Sequence, residues 1–440
     1  MNDWQSSSAA ALGRGIGEGQ IDPVELADAF LEAIAVHPHG PRIYARTCPE
    51  RAREEALAAR GRARTGARRG PLDGVPVSWK DLFDTAGLGT EAGSKLLAGR
   101  VPEADAAVVA TAREGGMVSL GKTHLSELAF SGLGLNPVTA TPPNIHDEGA
   151  LPGGSSSGAA ASVAFGLAPL AIGSDTAGSV RIPAAWNDLV GLKTTHGLLP
   201  DEGTLPLCPR FDTAGPIARS VEDAALGFAA LGGPAVDLDG ASLDGTRLLV
   251  LDGLVLTELD EGISTGFEGA VERLAAAGAS ISHTTLAMVE EVFELATIFA
   301  PEAYGTWRGI IETNPSVMFP PILERFRSGA AMSAADYVAC WQRLESLRAA
   351  YLAATEGVDA VLLPTCPILP PNAAHLLEDE AAYTRANLLA LRNTRVGSLL
   401  GLTGLTLPTG TPSAGLLLQA GPHAEGQLLR LGAAAARALA

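Results

Sequence analysis

Cysteine is scarce in this chain: four among 440 residues, Cys48, Cys208, Cys340 and Cys366, far apart from one another. They form no C-x-x-C pair, zinc-ribbon spacing or dense disulfide framework, so inert thiols are expected. The eight histidines contain no H-E-x-x-H pair, and no metal is expected. Long apolar runs are missing too. The nearest, Ala159 to Gly173, is broken by Gly166 and Pro169, short of the ~18–20 uninterrupted residues a membrane helix needs. The opening residues MNDWQSSSAAALGRG lack the basic and apolar regions of a signal peptide. A cytoplasmic protein with no membrane contact is therefore the expectation. Positive charge is short as well: 31 Lys and Arg stand against 49 Asp and Glu, a formal net charge of −18. A nucleic-acid partner favours a basic surface that neutralises phosphates, so no direct nucleic-acid binding is expected. With 47% hydrophobic and 18% charged residues, the chain is too apolar to be disordered.

What is present alternates between helical and strand patterns. Asp22-Pro23 reads as a helix N-cap with proline in the first turn, and Val24, Ala27, Leu31 and Ile34 continue at helical spacing to about Val36. A helix is expected over Ala104 to Glu114, and short buried strands over Gly74 to Trp79 and Met117 to Leu120. Ser220-x-x-Asp223 and Ser333-x-x-Asp336 resemble capping boxes, the second opening a long helix to about Glu356. Val358 to Leu363 is a continuous apolar run, as in a strand covered on both faces. A late strand over Leu416 to Gln419 and a terminal helix from about Glu425 complete the pattern. Roughly 195–245 is the least patterned stretch, and no linker splits the chain. The expectation is one large α/β domain.

The chemistry concentrates in GGSSSGAAASVAFGLAPLAIGSDTAGSVRIPAAWNDLVGLKTTHG, Gly153 to Gly197. It holds two small-residue loops, Gly153–Gly158 and Asp175–Ser179, separated by an apolar helix-then-strand stretch. Such loops can turn several backbone N–H groups into one concavity. A phosphate-binding loop would need G-x-x-x-x-G-K-[ST], and no lysine follows either loop. Gly154-Ser155-Ser156-Ser157-Gly158 matches the G-x-S-x-G elbow with Ser156 as nucleophile, but no HGGG-type motif precedes it. Ser119-x-x-Lys122 matches S-x-x-K without its companion motifs.

A third chemistry, a serine activated by lysine, gains support from composition. The chain has only four lysines, Lys80, Lys95, Lys122 and Lys193, so 27 of its 31 basic residues are arginine. Arginine cannot release its proton in a protein, whereas a buried lysine can become a neutral base. Lys80 ends the apolar run PVSW, which draws its stem into low dielectric. Lys95 and Lys193 read as structural.

The segment Gly153–Gly197, together with GPLDGVPVSWKDLFD at Gly70–Asp84, resembles the amidase signature family. The family's G-G-S-S-[SG]-G loop corresponds to Gly153–Gly158, its G-[TS]-D-x-[GA]-G-S-[IV]-R-x-P to Gly173–Pro183, and its P-V-x-x-K-D to Pro76–Asp81. Further matches run from IDPVELADAFLEAI through GKTHLSELAFSGLGLNP and FDTAGPIARSVEDAA to AVLLPTCPILPP and GLTGLTLPTG. The resemblance implies a mixed central β-sheet covered by helices, one domain over 1–440, a signature core at about 70–200 and an N-terminal helical segment at about 7–60. It implies a Ser-cisSer-Lys triad: Ser179 as nucleophile, Ser155 as bridging serine after a cis peptide, Lys80 as base. Backbone N–H groups of Thr176, Ala177, Gly178 and Ser179 would form the oxyanion hole. Asp175 and Arg181 would be the buried pair holding that loop, with Ser156 in support, and Phe130 and Ser131 would border the substrate.

Three positions depart from the family pattern: Ala177 for the commoner glycine, Trp186-Asn187-Asp188 for Phe-Cys-Gly, and His124 for asparagine. None removes a catalytic group. The activity implied is hydrolysis of a carboxamide, urea or carbamate C–N bond in a small molecule through a Ser179 acyl-enzyme, with no cofactor and with a homodimer as the oligomer frequent among similar proteins. The main alternative is the glutaminase (A-type) subunit of a tRNA-dependent amidotransferase, which would act with a partner subunit. A catalytically silent scaffold is a second.

Overall fold

The computed structural model describes residues 4–440; Met1, Asn2 and Asp3, the first residues of the stretch read for a signal peptide and of the expected domain, lie outside them. Eleven strands form one mixed sheet. The first six are β1 Tyr44–Thr47, β2 Pro76–Lys80, β3 Val118–Thr123, β4 Leu170–Ser174, β5 Val190–Lys193 and β6 Ala214–Ala218. The remainder are β7 Arg247–Asp252, β8 Ser280–Thr285, β9 Ala360–Pro364, β10 Thr403–Pro408 and β11 Gly415–Ala420. Their order across the sheet is β1-β3-β2-β4-β6-β5-β10-β11-β9-β7-β8. β2 runs parallel to β3 and β4, and β7 parallel to β8 and β9. The five strands from β4 through β6, β5 and β10 to β11 alternate direction.

Strands β2, β4 and β9 are buried at every position, because helices cover both faces of the sheet. The polar β8, SISHTT, sits at the edge, where its mostly exposed side chains cost nothing. Helix Pro23–Val36 starts where the sequence indicates: the Asp22 carboxylate accepts from the Val24 N–H, and Leu26, Ala27, Phe30, Leu31 and Ile34 form its buried stripe. Both Ser-x-x-Asp signals cap helices, Val221–Ala230 and Ala334–Ala354, through the serine hydroxyl.

Three expectations need correction. The helix expected from Ala104 begins at Ala107. Asp105 is drawn away into a bidentate pair with Arg51 and accepts from the Ala86 N–H, which keeps that approach extended. The N-terminal helical segment contains a strand, β1, which extends the sheet by pairing with β3. The poorly patterned stretch around 195–245 contributes an interior strand, β6, hidden by its sequence AGPIA. Glycine and proline read as a turn. Here Gly215 is required by close approach, since a Cβ there would stand 2.0 Å from the Leu192 carbonyl oxygen.

Among the described residues no helix is long and apolar enough to cross a membrane. Gly215→Ala is expected to force β5 and β6 apart and to destabilise by ~1–3 kcal/mol, as overpacking does. Thermal unfolding by circular dichroism checks this; an unchanged midpoint would contradict the assigned packing.

Candidate active site

Lys80 and Ser174 are the last residues of the parallel neighbours β2 and β4. Both side chains therefore emerge at the carboxyl edge of the sheet, where open α/β folds collect their functional groups. Lys80 is fully buried. Its Nζ lies 2.7 Å from Ser155 Oγ and 2.8 Å from Ser174 Oγ. Burial disfavours the ammonium and lowers the Lys80 pKa to about 7, against the opposing charges of Asp175 and Asp212. The Gly154–Ser155 peptide is cis. Ser155 is fully buried, and its carbonyl accepts from the Ser126 N–H at 3.2 Å.

The loop after β4 is built around Asp175. One carboxylate oxygen accepts from the Gly178 N–H at 2.7 Å and from Arg181 Nη2 at 2.9 Å; the other accepts from the Val180 N–H and from Arg181 Nε. Arg181 also donates to the Thr394 carbonyl and to Ser398 Oγ. Burial pushes the Asp175 carboxyl up, but the charge and hydrogen bonds of Arg181 outweigh it and hold the pKa at about 2. Asp175 and Arg181 thus form the buried pair expected for this loop.

That pair corrects one expectation. The Gly178 N–H is committed to Asp175, so it is not free to meet a substrate oxygen. Among the described residues, the N–H groups of Thr176, Ala177 and Ser179 donate to no protein acceptor. Ser179 follows directly, and its carbonyl accepts from the Ser156 N–H at 3.2 Å, which ties the two small-residue loops together. The Ser156 hydroxyl is fully buried against the backbone of Ser174, donating to its carbonyl and accepting from its N–H. It is a clamp, with no histidine partner, which removes the physical basis of the nucleophile elbow. Ala177 tolerates its methyl because its φ is not positive, whereas Gly178 has φ +140° and a Cβ there would strike Thr394 Oγ1 at 2.2 Å.

Beside Ser179 lies a narrow cavity of about 20 Å³, lined by Phe130, Ser131, Thr176 and Ala177 and closed by Leu207, Phe299, Arg325 and Leu391. Phe130 and Ser131, expected from sequence, are therefore in place. Trp186, where the sequence departs from the family pattern, is fully buried and its Nε1 donates to the Ile368 carbonyl, so it belongs to the core. Lys122 is locked by the Phe83 carbonyl, Thr90 Oγ1 and Asp81, which leaves its S-x-x-K match without function. Lys193 donates to two carbonyls, those of Thr194 and Leu402, as a structural lysine does.

Sequence reading missed Ser174, Asp212, Arg325 and Asn387. Ser174 stands at the Thr/Ser position of the second loop motif, a hydroxyl signal that was available. Asp212 accepts from Thr176 Oγ1 at a site 36 residues away, and Asn387 Oδ1 accepts from Ser131 Oγ at 3.2 Å and the Gly132 N–H at 2.9 Å across more than 250 residues. No local pattern reveals such pairings.

A serine after a cis peptide beside a buried lysine, gathered near Ser179 at the edge of a mixed α/β sheet, is the arrangement that the resemblance to the amidase signature class of hydrolases implies. The comparisons agree. A family model described as Amidase matches residues 25–429, so the chain belongs to the amidase family, whose members hydrolyse C–N amide bonds. It is 37% identical over 391 residues to a 2-amino-5-chloromuconic acid deaminase of Comamonas testosteroni, covering 86% of this chain and 84% of that one. It is 31% identical to a glutamyl-tRNA(Gln) amidotransferase subunit of Thermobifida fusca, over 100% of this chain and 97% of that one. A crystal structure of an amidase superposes with a TM-score of 0.87 at 31% identity, covering 97% of this chain and 98% of the other.

Arg181→Met leaves Asp175 charged and unpaired in the interior, and a loss of about 3–5 kcal/mol is expected, as for breaking buried ion pairs. Thermal unfolding of this variant beside Arg181→Lys checks it. A midpoint within a degree of the wild type would show that the pair does not hold the loop.

Proposed function

We propose that the chain hydrolyses a small-molecule amide through an acyl-enzyme on Ser179, with Ser155 and Lys80 as its proton relay. The observation that carries this reading is the Lys80–Ser155 contact at 2.7 Å inside a fully buried pocket. Amide resonance makes the carbonyl a poor electrophile, so both an activated nucleophile and fixed donors are needed. Neutral Lys80 takes the Ser155 proton as Ser155 takes that of Ser179, and the Ser179 oxygen bonds to the carbonyl carbon. The free N–H groups of Thr176, Ala177 and Ser179 receive the resulting oxyanion; one such donor supplies roughly 10²–10³-fold in rate. The relay then returns its proton to the nitrogen as the C–N bond breaks. Water repeats the sequence on the acyl-enzyme and releases the acid.

The glutaminase-subunit alternative is favoured by the amidotransferase relative, which this chain matches over almost its full length. The two readings separate when the chain is purified alone and assayed. Turnover of several small carboxamides supports the free-standing amidase; activity confined to glutamine overturns it.

Two further outcomes are expected. A broad serine-directed probe should give one adduct by intact-protein mass spectrometry, absent in Ser179→Ala, retained in Ser156→Ala and formed about 10²–10⁴-fold more slowly in Lys80→Ala. An adduct lost only in Ser156→Ala would reinstate the elbow. Because the neutral amine is the active form, kcat/KM should rise with pH through about 7, the lowered Lys80 value. A flat profile from pH 5.5 to 9, with chemistry rate-limiting, would exclude lysine as the base.

A further inference from the structure

One wall of the cavity beside Ser179 carries a positive charge that the protein itself does not answer. Arg325, on helix Pro320–Arg327, lines the cavity with Ser179, Ser131 and Phe130. One of its N–H groups donates to the Phe130 carbonyl at 2.9 Å, and its guanidinium stands 4.2 Å over the Phe130 ring. It is surrounded by protein yet keeps accessible surface, as a cavity wall does. Among the described residues no carboxylate acts on it. Within reach of its charge, Arg395 on helix Arg392–Leu399 is 4% exposed, and its Nε has no hydrogen-bond partner among the described residues. The one charge that reaches Arg395 is that of Arg325, which adds to burial in lowering its pKa to about 9. The hydroxyl of Tyr383 is buried beside Ser131 and within reach of the Arg325 charge.

Two like charges in the interior of a chain of net charge −18 are costly to keep, and a buried unpaired charge destabilises unless something neutralises it. Arg181 shows the contrast: it lies as deep, and Asp175 answers it in full. Arginine is suited to carboxylate recognition because its planar fork binds two oxygens at once. No Asp or Glu lines this cavity, so nothing there would hold an ammonium group.

We infer that Arg325, backed by Arg395 and the Tyr383 hydroxyl, is an anion subsite that selects amides whose acyl portion carries a carboxylate and no amine: monoamides of small dicarboxylic acids. This rests on the proposed use of the Ser179 cavity as the acyl site. Hydrolysis of such a monoamide gives a dicarboxylate and ammonia, the amide nitrogen leaving with one proton from water and the acyl carbon taking the hydroxyl.

The test compares kcat/KM for succinamate and glutaramate with that for butyramide and for glutamine. At least one monoamide is expected to exceed both by about 100-fold or more. Arg325→Met should cut that monoamide about 100-fold, chiefly through KM, and butyramide less than threefold. Arg325→Lys, which keeps the charge and loses the fork, should fall between, and Arg395→Met should show the same selectivity at smaller size. Butyramide turned over as well as the monoamides, or a variant that lowers charged and neutral substrates alike, overturns the subsite. Calorimetric binding of succinate and glutarate to Ser179→Ala separates this from the amidase reading. Binding that disappears in Ser179→Ala/Arg325→Met supports the subsite whatever the fate of the nucleophile, and absence of binding by either diacid overturns it even if the serine labels.

Discussion

The exclusion of water from the Lys80 ammonium is the constraint on which the proposed relay depends. A lysine at the surface would stay charged near neutral pH and could accept no proton; full burial at the end of β2 lowers its pKa to about 7. The position follows from the sheet. β2 lies between β3 and β4, so its last side chain leaves the strand inside the protein, where Ser155 and Ser174 supply its hydrogen bonds. Without those hydroxyls, a buried amine would be an unsatisfied polar group in either protonation state.

The same balance gives Asp175 and Arg181 a second consequence. Asp175 and Asp212 both pull the Lys80 pKa upward, opposing burial. A bare buried carboxylate at position 175 would act more strongly on Lys80, but its charge is shared with a bidentate guanidinium and backbone N–H groups. The pair that shapes the loop therefore also limits how far the lysine is held in its charged form. It does so while leaving the Thr176, Ala177 and Ser179 N–H groups unspent, since Asp175 takes its bonds from Gly178 and Val180.

The sequence announces the parts of this machine whose causes are local. Asp22-Pro23, the two Ser-x-x-Asp caps and the apolar run of β9 act through neighbours one to four residues away, and each forms as its pattern indicates. Lys80, Ser155 and Ser179 were readable because two motifs at fixed spacing carry them. What stayed hidden depends on partners distant in the chain. β6 is held open by Leu192 at the place where Gly215 allows contact, and no property of AGPIA itself favours a strand. The helices Phe299–Ile311 and Pro320–Arg327 gave no sequence signal for the site, yet they bring Phe299 and Arg325 over Ser179. The spent N–H of Gly178 was also invisible, because a motif fixes where a donor lies in the chain and not which acceptor reaches it first.

The division of labour between lysine and arginine ties these observations together. Burial acts on both in the same direction, yet the outcomes differ because their intrinsic pKa values differ. It carries Lys80 to about 7, where the neutral amine exists, and leaves Arg325 at about 10 and Arg395 at about 9, still cationic near neutrality. In the proposed mechanism a titrating group thus stands where a proton must move, and the permanent charge of Arg325 lines the cavity beside Ser179, where none need move. In a chain with four lysines and 27 arginines, one of the scarce lysines is the base of the proposed relay, and an arginine supplies the fixed charge of the proposed subsite. Exchanging the two would fail at both ends of the proposed mechanism: arginine at position 80 could not take the Ser155 proton, and lysine at 325 would offer a point charge in place of a fork.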